Sequence, residues 1–266
     1  MAERTLPSWA RDPLSTFLSD AERNERLSSL KFPNIYGLLQ RVHSAFQSST
    51  AIIENDRHEE LLPVRFLMAR THAAFLAAIR LGMSGQVVEA HPALRAVIED
   101  IWYALHLAKD PNPPSRAMIW LRRNDNQAAK TQCKNEFFVA NVRATHAALD
   151  PTTATALQAL YEWTIERGAH PNPQGVLAAM SRTEAGQHLT YDVAILTDNP
   201  TLVVATLKTA VEVAVCALKI FRLIFPERFT IMGLDAEIET LIEFLNTVFK
   251  PYVPVAPPSR GESDLY

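Results

Sequence analysis

The sequence predicts an all-α fold, a single irregular antiparallel helical bundle of about eight or nine helices. Three observations predict it. Glycine occurs only 8 times in 266 residues, well under the roughly 7% of ordinary usage, so there is little provision for tight turns and strand bulges. Alanine and leucine recur at three-and-four spacing, the period that lines up one helical face. Residues 30 to 250 hold no internal repeat and no low-complexity linker, which reads as one helical domain over 31–250. It follows an N-terminal arm and short helix, 1–30, and precedes a proline-rich tail, 251–266, expected to be disordered or extended.

The elements follow in order. Residues 34 to 55 put Ile35, Leu38, Leu39, Val42, Phe46 and Ile53 on one face, with Pro33 at the start, where its missing N–H costs nothing. Residues 64 to 82 carry Val64, Leu67, Met68, Phe75, Ala78 and Ile79 and are expected to stop near Gly82. Ser84 then caps a helix running to about Lys109, with Pro92 either kinking it or marking its first turn. The DPNPPS loop breaks the chain, Ser115 opens a shorter helix through AMIWLRR, and a longer one covers roughly 127 to 149 with Phe137, Phe138, Val142 and Leu149. Asp150-Pro151 starts the helix that ends in YEWTIERGAHPNPQG, where Gly168 suits a left-handed C-cap and Pro171 turns His170 away from helical angles. A short helix follows near 174 to 181. HLTYDVAIL, 188 to 196, alternates weakly like a strand, but a lone strand leaves its backbone unpaired and is given little weight. Asn199-Pro200 starts a central helix that Phe225-Pro226 ends, and Asp235 to Phe249 is the last.

The formal charge of −3 and pI near 6.2 give no whole-chain drive toward nucleic acid or anionic membranes, though a local basic patch stays open. Cys133 and Cys216 stand far apart without CxxC partners, as reduced thiols in a cytoplasmic protein do. The N-terminus lacks the basic start and apolar run of a secretory signal, and charges interrupt the apolar stretch 199 to 225. A soluble protein with no membrane partner is the expectation. There is no GxxxxGK[ST], GxGxxG, GxSxG or HExxH, so no cofactor is expected.

Chemistry must then come from helix faces. In HPALRAVIEDIWYALHLAKD, residues 91 to 110, His91, Arg95, Glu99 and Tyr103 recur every four residues beside an apolar stripe, with His106 on nearly the same face. The preceding helix carries Arg65 and His72. The short MSGQ connection makes the two helices antiparallel neighbours whose polar stripes are expected to meet in a pocket, with Glu99 as base or ligand and Arg95 or Arg65 holding an anion. The bland alternative is an ion pair that only joins helices. Glu162, Glu166 and His170 fall at i, i+4, i+8 and, with Glu54 and His58, are the weak metal-ligand candidates. Arg65 to His72 and Arg182 to His188 fit the Arg, four to six residues, His spacing of HEPN (higher eukaryote and prokaryote nucleotide-binding) ribonucleases, but chance supplies about as many matches. Trp102, Trp120, Tyr161 and Trp163 sit among aliphatics as packing residues, and the basic patch WLRR reads as solvated surface.

The order ARTHAAFLAAIR, ALRAVIEDIWYALHLAKDP, YEWTIERGAHPN resembles bacterial all-α proteins in which an R-x-x-x-E helix ending in KDP precedes a Y…S…HP segment. Such families look HEPN-like in outline, and some sit near phage-defence or toxin genes. The resemblance covers about residues 60 to 180. It implies that Arg95, Glu99 and His170 match the recurrent polar positions, with Thr164 where serine is frequent. The expected function is a binding or regulatory module for a small molecule or protein partner, and an apolar helix face is the expected route to a homodimer. The alternatives are a HEPN-type ribonuclease using Arg65 and His72 and a metal-dependent helical-bundle enzyme.

Overall fold

The computed structural model describes residues 12–54, 61–170, 173–178, 180–185 and 188–252. The N-terminal arm, the tail beyond Tyr252 and His58 lie outside the described residues. Among the described residues nine helices have ten or more residues: α1 (Pro13–Lys31), α2 (Pro33–Glu54), α3 (Leu62–Ser84), α4 (Val87–Ala108), α6 (Gln127–Glu136), α7 (Val139–Leu149), α8 (Pro151–Thr164), α10 (Pro200–Ile224) and α12 (Leu234–Val248). Three short ones, α5 (Ser115–Leu121), α9 (Pro173–Ala178) and α11 (Pro226–Ile231), complete an all-α bundle.

Prolines set most helix starts because they fix φ and lack only an N–H the first turn does not use. Asp150 and Asn199, each before a proline, cap α8 and α10 by accepting from the backbone N–H of Thr153 and Thr201, both at 3.0 Å. α10 is the axis of the core. Val211, Val213, Ala214, Ala217, Leu218 and Ile220 are fully buried, and α2, α3, α4, α8 and α12 pack around it. By length and composition α3 and α10 are each apolar enough to cross a bilayer; the most apolar window of α10 is 72% buried within the protein.

Several boundaries differ from expectation. The first helix is 19 residues long and not short. α3 runs past Gly82 to Ser84, whose hydroxyl donates to Leu81 O at 2.9 Å, so Ser84 ends one helix and caps none. Gly85 makes the turn at φ 94, and a Cβ there would lie 2.4 Å from Thr197 O. The segment 127 to 149 is two helices, broken at Phe137-Phe138. HLTYDV does pair: Met180–Ala185 and His188–Val193 form an antiparallel hairpin, register Met180↔Val193 to Ala185↔His188. Its partner, MSRTEA, shows no alternation and so gave no signal. Arg182 and His188 therefore lie on the two strands of a hairpin. Pro251 and Tyr252 belong to the fold and not to the tail, because Tyr252 packs edge-on against Phe32 with ring centres 5.7 Å apart.

One contact fixes the corner after α8. Pro92 lies inside α4 and has no N–H to give the carbonyl of Val88, four residues back. The helix continues through it, and the chain at Gly168 packs onto that carbonyl: a Cβ on Gly168 would lie 2.4 Å from Val88 O and 2.9 Å from Val88 Cγ1. To reach it, α8 passes into a π turn, Ile165–Ala169, with Gly168 at φ 159, ψ −14 and His170 extended. Glycine is needed here for close approach, where the sequence had suggested a left-handed cap. We predict that Gly168→Ala destabilises the protein by about 1–3 kcal/mol. Gly37→Ala, with nothing within 4 Å of the added Cβ on α2, stabilises it by about 0.5–1 kcal/mol. Urea denaturation of both variants reads the difference; equal shifts would remove the close-approach account.

Candidate anion-binding site

The polar stripe of α4 meets the corner that Gly168 creates. Each member of the four-residue ladder faces a different partner. His91 borders the same small cavity as Arg167. Arg95 Nη1 lies 2.8 Å from His170 Nε2 and Arg95 Nε donates to Glu99 Oε1 at 2.8 Å. Glu99 Oε1 also accepts from the Tyr161 hydroxyl at 3.3 Å. Tyr103 donates to Phe137 O at 3.3 Å and stacks on its ring. An arginine has only donors, so in the Arg95 contact His170 Nε2 is the acceptor and the ring proton sits on Nδ1.

Tyr161 is the floor of this seam. Its ring lies 5.2 Å from the Arg95 guanidinium carbon and 4.8 Å from that of Arg143, which also lies 5.0 Å from the Trp102 ring. Trp102 in turn donates to His146 Nδ1 at 3.3 Å, and His146 is fully buried. Burial works against the charge on Arg95, yet the bond and charge of Glu99, helped by Tyr161, hold its pKa above the ordinary value. Burial, then the Glu99 charge, pushes the Tyr161 hydroxyl upward, so it stays a protonated donor. Burial, then the Arg167 charge, pulls His91 down to about 4. The Arg95–Glu99 pair, 25% and 45% exposed, is worth only about 0.3–0.5 kcal/mol. Its importance is orientation.

The structure therefore brings Arg95, Glu99 and His170 together but not with the residues expected of α3. The turn at Gly85 sets Arg65 opposite the far end of α4. His72 turns to α2, where its Nε2 lies 2.8 Å from His43 Nδ1 and its ring stacks on Phe46. Burial, then His43, lowers it to about 4. Between α3 and α4, Arg70 and Asp100 meet, 3.1 Å apart. Burial raises Asp100 to about 6 against the pull of Arg70, with Glu99 adding to the rise. His106 leaves the Glu99 face and ties α4 to Thr145 at 2.7 Å and Glu136 at 3.2 Å, where Arg116 also binds Glu136 at 2.7 Å.

The metal ladder Glu162, Glu166, His170 is not formed. It assumed one regular helix, and the π turn takes His170 out of register and onto Arg95, while Glu162 accepts from Gln158. Among the described residues no three His, Cys, Asp or Glu side chains group closely enough to hold a metal. Sequence reasoning missed Arg143 and Arg167 as members of the site. Each had a signal: residues 139 to 147 contain no acid that could pair with Arg143, and Arg167 follows Trp163 by four, the ring it covers at 4.2 Å. No family model, curated protein or solved structure matches the chain, so the reading rests on this geometry.

The buried groups give a pH signature. Unfolded histidine binds its proton more readily than His72 or His91 folded, so their stability is present above pH 6.5 and lost as pH falls toward about 4. Asp100 acts oppositely: its contribution is present below pH 3.8 and lost as pH rises through about 6. We predict that Asp100→Asn makes the rise of stability with pH between 4 and 6 steeper than in the wild type. Urea denaturation at stepped pH checks it; a shallower rise contradicts the assignment.

Proposed function

We propose that this chain is a cytoplasmic binding protein that captures a small anion, a phosphate or carboxylate, in the seam between α4, α7 and the Tyr161–His170 corner. One observation carries the reading. Arg95 and Arg143 converge there on the Tyr161 ring, Arg167 flanks them beside His91, one α4 turn from Arg95, and Glu99 is the one carboxylate bonded to any of the three among the described residues. Planar guanidiniums held by aromatic rings, with buried N–H groups left over, suit oxyanions that offer two acceptor oxygens. The Nε atoms of Arg143 and Arg167 are buried without a hydrogen-bond partner, and such donors cost stability until an acceptor arrives. Cys133 and Cys216, both buried free thiols, support a reducing compartment. The exposed apolar patch of Leu62, Phe66, Met118 and Leu121 supports association as a homodimer.

A ribonuclease of HEPN type is the second reading, now centred on Arg95, Glu99 and His170 and no longer on Arg65 and His72. The observation in its favour is that a phosphate-holding cation, a carboxylate and an imidazole lie within hydrogen-bonding reach. Binding is preferred because the contact with Arg95 already occupies His170 Nε2, which leaves that nitrogen no free position for proton transfer to a substrate. Titration calorimetry with inorganic pyrophosphate is expected to show binding that Arg95→Met weakens about tenfold or more. Arg41→Met, on the remote Arg41–Glu237 pair, leaves it unchanged. Total RNA incubated with wild type and His170→Ala is expected to give identical fragments. Fragments lost in the variant would replace binding by cleavage.

A further inference from the structure

Trp163 and Ala205 line two adjoining spaces on the side of α8 that faces α10. One is a narrow cavity of about 30 Å³ bordered by Val88, His91, Arg167 and Thr206. The other is a trough of about 530 Å³ between α8, α10 and α12, walled by Ala159, Leu160, Val215 and Leu245. Its α10 wall runs from Ala205 to Cys216, about 16 Å at 1.5 Å per residue.

The narrow end holds charge without a counter-ion. Arg167 stacks on Trp163, its Nε is buried without a hydrogen-bond partner, and no carboxylate among the described residues pairs with it. His91, only 5% exposed, leaves its Nδ1 buried and unpartnered at the same cavity. Along the trough the charges cancel, because Lys208 bonds Glu212. The two spaces thus offer one cationic end and one long apolar body, on a scale typical of small-molecule sites, about 300–1,000 Å³.

We infer that they bind an anionic amphiphile: an unbranched acyl chain whose carboxylate is held by Arg167 and His91 and whose hydrocarbon lies over Trp163 along α10. A carboxylate offers two acceptors to the unused Arg167 donors and to an Nδ1–H tautomer of His91. The chain covers apolar wall that solvent now wets, so affinity rises with length, up to about fourfold per methylene. The inference shares only Arg167 with the preceding proposal, and an Arg95 variant separates the two.

The test is titration calorimetry of the full chain with hexanoate, octanoate and decanoate below micelle formation, and with decyltrimethylammonium as the cationic counterpart. Decanoate is expected to bind tightest and the cationic amphiphile not at all. Arg167→Met, and separately Ala159→Trp at an exposed position in the trough, weaken decanoate about tenfold or more, while Arg95→Met changes it by less than about twofold. Circular dichroism checks folding; should Arg167→Met not fold, Ala159→Trp and the chain-length series decide. Absent decanoate binding, equal affinity for the cationic amphiphile, affinity independent of chain length, indifference to Ala159→Trp, or dependence on Arg95 in place of Arg167 overturns the inference. The last of these would move the carboxylate to Arg95 and leave the preceding proposal standing.

Discussion

The backbone at Gly168 lies against the Val88 carbonyl that Pro92 leaves without its helical donor, and the rest of the site depends on that contact. A proline inside a helix usually weakens it by about 3 kcal/mol or more. Here the carbonyl it frees becomes the landing point for a second element, and only a residue without Cβ can come so close. The contact also explains the π turn. A regular α8 would carry Arg167 and His170 past α4; the π turn and the extended His170 place Arg167 beside His91 and His170 on Arg95. Two helix-breaking residues 76 positions apart in sequence thus act as one device.

Electrostatics then follow from burial. The imidazoles near the seam and in the core, His72, His91 and His146, are driven toward the neutral form chiefly by burial. They add hydrogen-bonding capacity without adding charge. Arginine cannot escape in this way because its pKa is too high, so half-burying Arg95 and Arg143 on the Tyr161 ring, and Arg167 on Trp163, leaves an excess of positive charge that must be met by aromatic faces, by Glu99, or by a ligand. Tyr161 does most of the work of holding them, since its ring serves two guanidiniums and its hydroxyl fixes the carboxylate.

Much of the fold was legible because proline and short polar caps leave unambiguous marks: Asp150-Pro151, Asn199-Pro200 and Phe225-Pro226 delimit helices where the residues say they should. The four-residue ladder on α4 was legible too, as was the Arg95–Glu99 pairing it implies. Its direction was not. Periodicity says which residues share a face, but which neighbour that face meets depends on how the connecting turns aim the helices, and the ladder met α8 where α3 had been expected. The hairpin escaped notice because Met180–Ala185 lacks alternation, and the π turn because no local composition encodes it. Gly168 was recognised as a stop signal, yet its tight approach to Val88 is a long-range fact visible only in three dimensions.

The most direct measurement follows the arginine side-chain N–H resonances by heteronuclear NMR while inorganic pyrophosphate is added to the wild-type protein. Arg95, Arg143 and Arg167 are expected to shift together and saturably, with Arg41 and Arg116, which are bound to Glu237 and Glu136, unmoved. A uniform small drift of all arginine signals, or shifts confined to exposed arginines such as Arg26 and Arg80, would contradict the existence of an assembled anion site at the Gly168 corner.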